Sequence, residues 1–117
     1  MQNLAEDNMD DFKRSLPELR YIYYHLNDQE RVNYIRSASS DLIDSINEVI
    51  LNLLFSHKNG LKLTKSQMKT LRPYKAVMKK FILSKSLSIK RNLLKKAALR
   101  AILATIIAFA SKANIEN

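Results

Sequence analysis

An all-α fold, a single domain of five or six helices with an acidic N-terminal half and a basic C-terminal half, follows from three features of the chain. It has 117 residues, 46% of them hydrophobic, which suits one core and not two. One glycine and two prolines leave too few turn formers for a multi-stranded sheet. Its apolar residues recur at steps of three and four, the period of a helix face.

Residues 1–14 mix Asp, Glu and Asn with few apolar positions and read as a mobile acidic lead or a frayed first turn. A helical domain is expected over 15–112, divided into acidic helices over 15–60 and basic helices over 61–112, with 113–117 as a tail. Leu16, Leu19, Ile22, Tyr23 and Leu26 share one face of the first helix, with Ser15 as N-cap and Pro17 tolerated in the first turn. A short helix over Gln29 to Arg36, capped by Asp28, turns Val32 and Ile35 inward. The strongest pattern starts at Ser40 as N-cap, puts Asp41 and Asp44 near the positive end of the macrodipole, and buries Ile43, Ile46, Val49, Ile50, Leu53 and Leu54. His57, Lys58, Asn59 and Gly60 form its expected stop.

Thr64 and Gln67 have the spacing of a capping box, so a helix starts there, and Pro73 interrupts or restarts it. Val77, Met78, Phe81 and Ile82 then form an apolar stripe flanked by Lys75, Lys79 and Lys80. Ser84 to Ser88 reads as a hinge, and strong helix formers continue from Ile89 to about Ser111. The last part, Ala101 to Ser111, is an uncharged run well short of the roughly 20 apolar residues that span a bilayer. The N-terminus has neither the basic start nor the apolar stretch of a signal peptide, so an intracellular location is expected.

Charge divides the chain at its single glycine, Gly60. The first 59 residues carry six basic and ten acidic side chains; the remainder carry fourteen basic and one acidic, Glu116. Thirteen Lys or Arg lie between Lys62 and Arg100 with no Asp or Glu among them, although a solvated helix usually interleaves both signs. The plainer reading is a surface neutralised by the acidic half, within the chain or between copies. The sharper one is a polyanion-binding segment. Lys90, Arg91, Lys95, Lys96 and Arg100 spread around most of a helical circumference, which suits backbone phosphates and not a base-reading donor pattern. The expected nucleic-acid contacts are Lys79, Lys80, Lys85, Lys90, Arg91, Lys95, Lys96 and Arg100, with Arg72 and Lys75 peripheral. Tyr74, between Arg72 and Lys75, has the surroundings for a base or phosphate contact.

Little in the chain suggests catalysis. Cysteine is absent, and a single glycine cannot build the usual phosphate-cradling loops. His25 and His57 lie outside any metal-ligand spacing and read as a surface residue and a C-terminal cap partner. Asp41, Asp44 and Glu48 align on one helix side, where dipole complementarity and solvation explain them. No enzyme activity, cofactor or metal is expected. Tyr21, Tyr23, Tyr24 and Tyr34 belong to core edges or a protein interface.

Four segments, SLPELR (Ser15 to Arg20), RSASSDLIDSINEVILNLL (Arg36 to Leu54), LTKSQMKTLRPYK (Leu63 to Lys75) and SLSIKRNLL (Ser86 to Leu94), together resemble the small basic proteins of adintoviruses and Maverick/Polinton elements. Counterparts occur in adomaviruses, and the group is compared with the small core protein of adenoviruses. The resemblance covers about two-thirds of the chain, from Leu16 to Leu94. It implies an element- or virus-encoded structural protein that packages or condenses DNA, in a virion or the host nucleus, with Lys85, Lys90, Arg91, Lys95 and Lys96 as the matching basic cluster. The chain departs from the family where a Gly-Gly-Phe-Leu-type tail is usual: here Lys95 to Arg100 lead into an Ala/Ile run.

Nucleic acid is therefore the expected partner, DNA in preference to RNA. The alternatives are an anionic membrane surface, with lysines among headgroups and Ala101 to Ala110 beneath them, and a homo-oligomer in which the acidic half of one copy meets the basic half of another.

Overall fold

Helix α1, Leu4–His25, lies along α3, Ser40–Leu54, and the two form the acidic side of the molecule. Their contact is marked by a hydrogen bond between the Ser15 and Ser45 hydroxyls. Between them in sequence, α2, Asp28–Arg36, packs chiefly against the C-terminal helix. The basic half comprises α4, Lys65–Leu71, a 3-10 turn at Arg72–Tyr74, α5, Lys75–Leu83, α6, Leu87–Leu93, and α7, Lys96–Lys112. The structure, a computed structural model, describes residues 4–55 and 62–112. Because α4, the 3-10 turn and α5 follow one another without a gap, six helical runs make up the described residues, and no strand occurs among them. The all-α class and the single domain stand as expected.

Several ends are set by side-chain caps, as the sequence leads one to expect. The Thr64 hydroxyl accepts from the Gln67 N–H (3.0 Å) and the Gln67 amide oxygen accepts from the Thr64 N–H (2.9 Å), so two free backbone donors are satisfied reciprocally. Two caps lie one residue before the expected ones. Asn27, not Asp28, caps α2 in a full capping box with Glu30. Ser39, not Ser40, caps α3, accepting from the Leu42 N–H at 3.1 Å. Asn and Ser are equally good N-caps, and the extended backbone at these two positions decides between neighbours of similar chemistry.

Three expectations about helix limits are corrected. Residues 4–14, read as a lead or frayed turn, are helical, and Ser15 is an interior residue of α1 and not its cap. Pro17 costs one backbone hydrogen bond, but its φ suits a helix and nothing before it breaks the run. The continuous helix expected from Ile89 to Ser111 is split: Leu94 is extended (φ −84°, ψ 108°) and separates α6 from α7. Leu94 is 1% exposed, so the break leaves its apolar side chain in the core. Ser86 caps α6, inside the hinge expected over Ser84 to Ser88. α3 ends at Leu54, with Phe55 as its C-cap donating to the Leu51 carbonyl, ahead of the stop expected at His57 to Gly60; those four residues and the tail at 113–117 lie outside the described residues.

The core is one cluster to which every helix contributes except α6, which adds half-buried Leu87 and Leu93. Val32 and Ile35, then Ile43, Ile46, Val49, Ile50 and Leu53 on α3, and Met78 and Phe81 are buried as expected, while Leu54, Val77 and Ile82 are half-buried. The largest contribution comes from α7. Ile102, Leu103, Ile106, Ile107 and Ala110 are each at most 3% exposed. The apolar run that could have met a membrane or another copy is the centre of the fold. Among the described residues, no helix is long and apolar enough to cross a membrane.

Candidate nucleic-acid interface

The ten cations singled out in the sequence separate into three groups. Lys90 and Arg91 are spent on the fold. The Lys90 ammonium donates to the Asn47 Oδ1 (2.8 Å) on α3 and sits 5.3 Å from the centroid of the fully buried Phe81 ring. Arg91 donates through Nε (3.0 Å) and Nη2 (2.6 Å) to the carbonyl of Ala38, in the link between α2 and α3. A carbonyl beyond a helix end has no intrahelical partner, so this guanidinium does what backbone cannot. The expectation that both reach outward is corrected: each is half-buried and tied to the acidic half.

Arg100 is intermediate. It is exposed and donates to Asp28 Oδ2 at 3.1 Å. Asp28 also accepts from Arg31 (2.7 Å), whose Nε reaches the Ile22 carbonyl and whose Nη2 reaches that of Tyr23, closing the C-terminal end of α1. This shared carboxylate ties α1, α2 and α7 together.

The other seven, Arg72, Lys75, Lys79, Lys80, Lys85, Lys95 and Lys96, are exposed, and none is paired with a carboxylate among the described residues. Pro73 and the 3-10 turn reset the helix phase, after which Met78 and Phe81 face the core and the lysines of α5 face outward. Lys85 stands between α5 and α6. Lys95 and Lys96 begin α7, with the Lys95 carbonyl accepting from the Leu99 N–H at 2.9 Å.

Two grooves give this surface relief. One, of about 410 Å³, lies between Pro73, Tyr74, Ala76, Val77 and Lys80 on one wall and Leu93, Lys95, Ala97 and Ala98 on the other. The second, of about 320 Å³, is lined by Gln29, Val32, Arg36, Lys95, Lys96 and Ala97. Lys95 and Ala97 belong to both, so the grooves adjoin across the start of α7. Arg36, exposed at the end of α2, thereby joins the basic surface. Sequence reasoning missed it because it lies in the acidic half, and no local pattern connects it to Lys96.

The acidic side chains gather elsewhere. A cleft of about 650 Å³ between α1 and α3 is lined by Glu18, Asp41, Asp44 and Glu48, together with Arg14 and neutral residues. Beside it, Tyr34 donates to Glu18 Oε2 (2.7 Å); that bond and burial push its phenol up to about 12. His25 stacks on Tyr21, with ring centroids 5.5 Å apart. Thus the acidic cleft and the basic grooves are lined by different sets of helices, and the Asp28–Arg100 ion pair joins α2 to α7.

Comparison with protein-family models, with curated proteins and with solved structures finds no match.

Proposed function

We propose that this protein binds nucleic acid, DNA in the first place, through the phosphate backbone, without catalysis and without reading sequence. We assign it, by the resemblance of its four segments, to a structural role in DNA condensation, in a virion core or the host nucleus. The observation that carries this reading is the set of seven exposed cations that have no carboxylate partner among the described residues, while acidic side chains line the cleft between α1 and α3. A surface that repels itself is tolerated where a polyanion neutralises it. The contacts are Arg72, Lys75, Lys79, Lys80, Lys85, Lys95 and Lys96, with Arg36 added and Arg100 at the margin; Lys90 and Arg91 are withdrawn.

The membrane-surface alternative loses its apolar element, because Ile102, Leu103, Ile106 and Ile107 are buried within the domain. The test of nucleic-acid binding is the fluorescence anisotropy of a labelled duplex as salt is raised. With about six phosphates neutralised, log K falls against log salt with a slope of about −5, a loss of roughly a thousandfold between 50 and 200 mM. Joint substitution Lys79→Gln, Lys80→Gln, Lys95→Gln and Lys96→Gln reduces that slope. Affinity indifferent to salt overturns the reading. So do salt-sensitive oligomers formed without any polyanion, which would assign the lysines to the acidic cleft of another copy.

A further inference from the structure

The groove between Tyr74 and Lys95 differs from what phosphate neutralisation alone requires. A phosphate needs cations at the surface and gains nothing from an apolar recess beneath them. Here the lining is chiefly apolar, with Val77, Leu93, Ala97 and Ala98 among it, and Lys80 and Lys95 stand on its two opposite walls. Tyr74 lines the recess, is half-buried, and has no hydrogen-bond partner for its hydroxyl among the described residues. At about 410 Å³ the space is comparable to the ~300–1,000 Å³ of small-ligand clefts.

An apolar, planar-faced group carrying a negative charge on each side meets all of these features at once. We infer that the trough takes an unstacked nucleobase of a single strand, seated against the apolar lining beside Tyr74, with its flanking phosphates on Lys80 and Lys95. This rests on the nucleic-acid reading above and adds to its backbone contacts a seat for a base of a single-stranded or locally opened strand. Bases paired in a duplex keep their faces stacked on one another and cannot enter. The second groove continues the track, with Arg36 and Lys96 positioned for the next phosphates.

The test compares labelled oligothymidylate with a strand of the same length in which abasic units replace the nucleosides and every phosphate is kept. The base-bearing strand binds the wild type more tightly by about tenfold, the worth of one stacked base. Ala97→Leu fills the trough without altering charge and brings the base-bearing strand down to the abasic level. Independently of that variant's folding, irradiation of a strand carrying 5-iodouridine cross-links it at Tyr74. Equal affinity of the two strands, each with a steep salt slope, overturns this inference and leaves backbone binding intact. Failure of both strands and of the labelled duplex to bind overturns the wider reading; failure of the two single strands alone, with the duplex bound, overturns this inference. An acidic, leucine-containing peptide that is blocked by Ala97→Leu while oligothymidylate is not would assign the trough to a protein and overturn the inference as well.

Discussion

Lys95 occupies a position where the fold would prefer another residue. Its carbonyl accepts the first backbone bond of α7, which makes it the N-cap, and Lys96 follows it with no acidic residue in the first turn. The N-terminus of a helix is its positive end, and lysine has no side-chain oxygen to accept the free N–H groups there. Lys95→Ser supplies that acceptor, worth about 1 kcal/mol, and removes a cation from the dipole's positive end, worth about 0.3–1 kcal/mol. The expected gain is about 1.5 kcal/mol, or a rise in Tm of about 6 °C for a domain of this size, followed by circular dichroism during thermal unfolding. In the anisotropy titration, the same variant weakens duplex binding and makes the salt slope shallower by about 0.9, the share of one phosphate. A more stable protein that binds less well is the signature of a residue kept for its ligand. If Lys95→Ser gains no stability, the cap assignment is wrong; if it gains stability while affinity and slope stay unchanged, Lys95 touches no polyanion.

Other expectations follow from the same contacts. Arg91→Met strips the Ala38 carbonyl of both guanidinium bonds and lowers stability by about 1.5–3 kcal/mol in urea unfolding, while the salt slope of the folded protein is unaltered. Ile106→Ala, in the buried run of α7, costs about 2–5 kcal/mol in the same assay; an effect near zero would return that run to the surface. Tyr34 contributes stability through its bond to Glu18, and its phenol is raised from 10.0 to about 12 in the folded state. That contribution is fully present below about pH 10 and is lost as the pH rises through about 12, because the unfolded chain releases this proton first. The stability difference between wild type and Tyr34→Phe therefore shrinks across this window, and a difference that is constant with pH would count against the bond.

The locally encoded features were legible in the sequence. The Thr64 capping box, the restart at Pro73, and the inward faces of α2, α3 and α5 each depend on residues within one or two turns of one another. The paired Asn27 and Asp28, and Ser39 and Ser40, show the limit of such reading, since adjacent residues of equal capping ability differ only in backbone angles. The start of α1 was misplaced because Pro17 resembles a helix start and is tolerated inside one. In the candidate interface, charge composition located the basic half but could not sort its members.

By itself, then, the sequence determined the helical class, most helix faces, and the separation of acidic from basic segments, because these are set by local propensity and spacing. Only the tertiary structure decided which cations remain available and what the apolar C-terminal run does. Lys90 finds Asn47 at a sequence separation of 43 and Arg91 finds Ala38 at 53, and Arg36 is brought beside Lys96 from the opposite half of the chain. Leu94 likewise leaves the helix to enter a core assembled from distant segments. A lysine in a string carries the same charge wherever it falls; whether it faces a carbonyl, a ring or water depends on which remote surfaces the packing of the core brings to it.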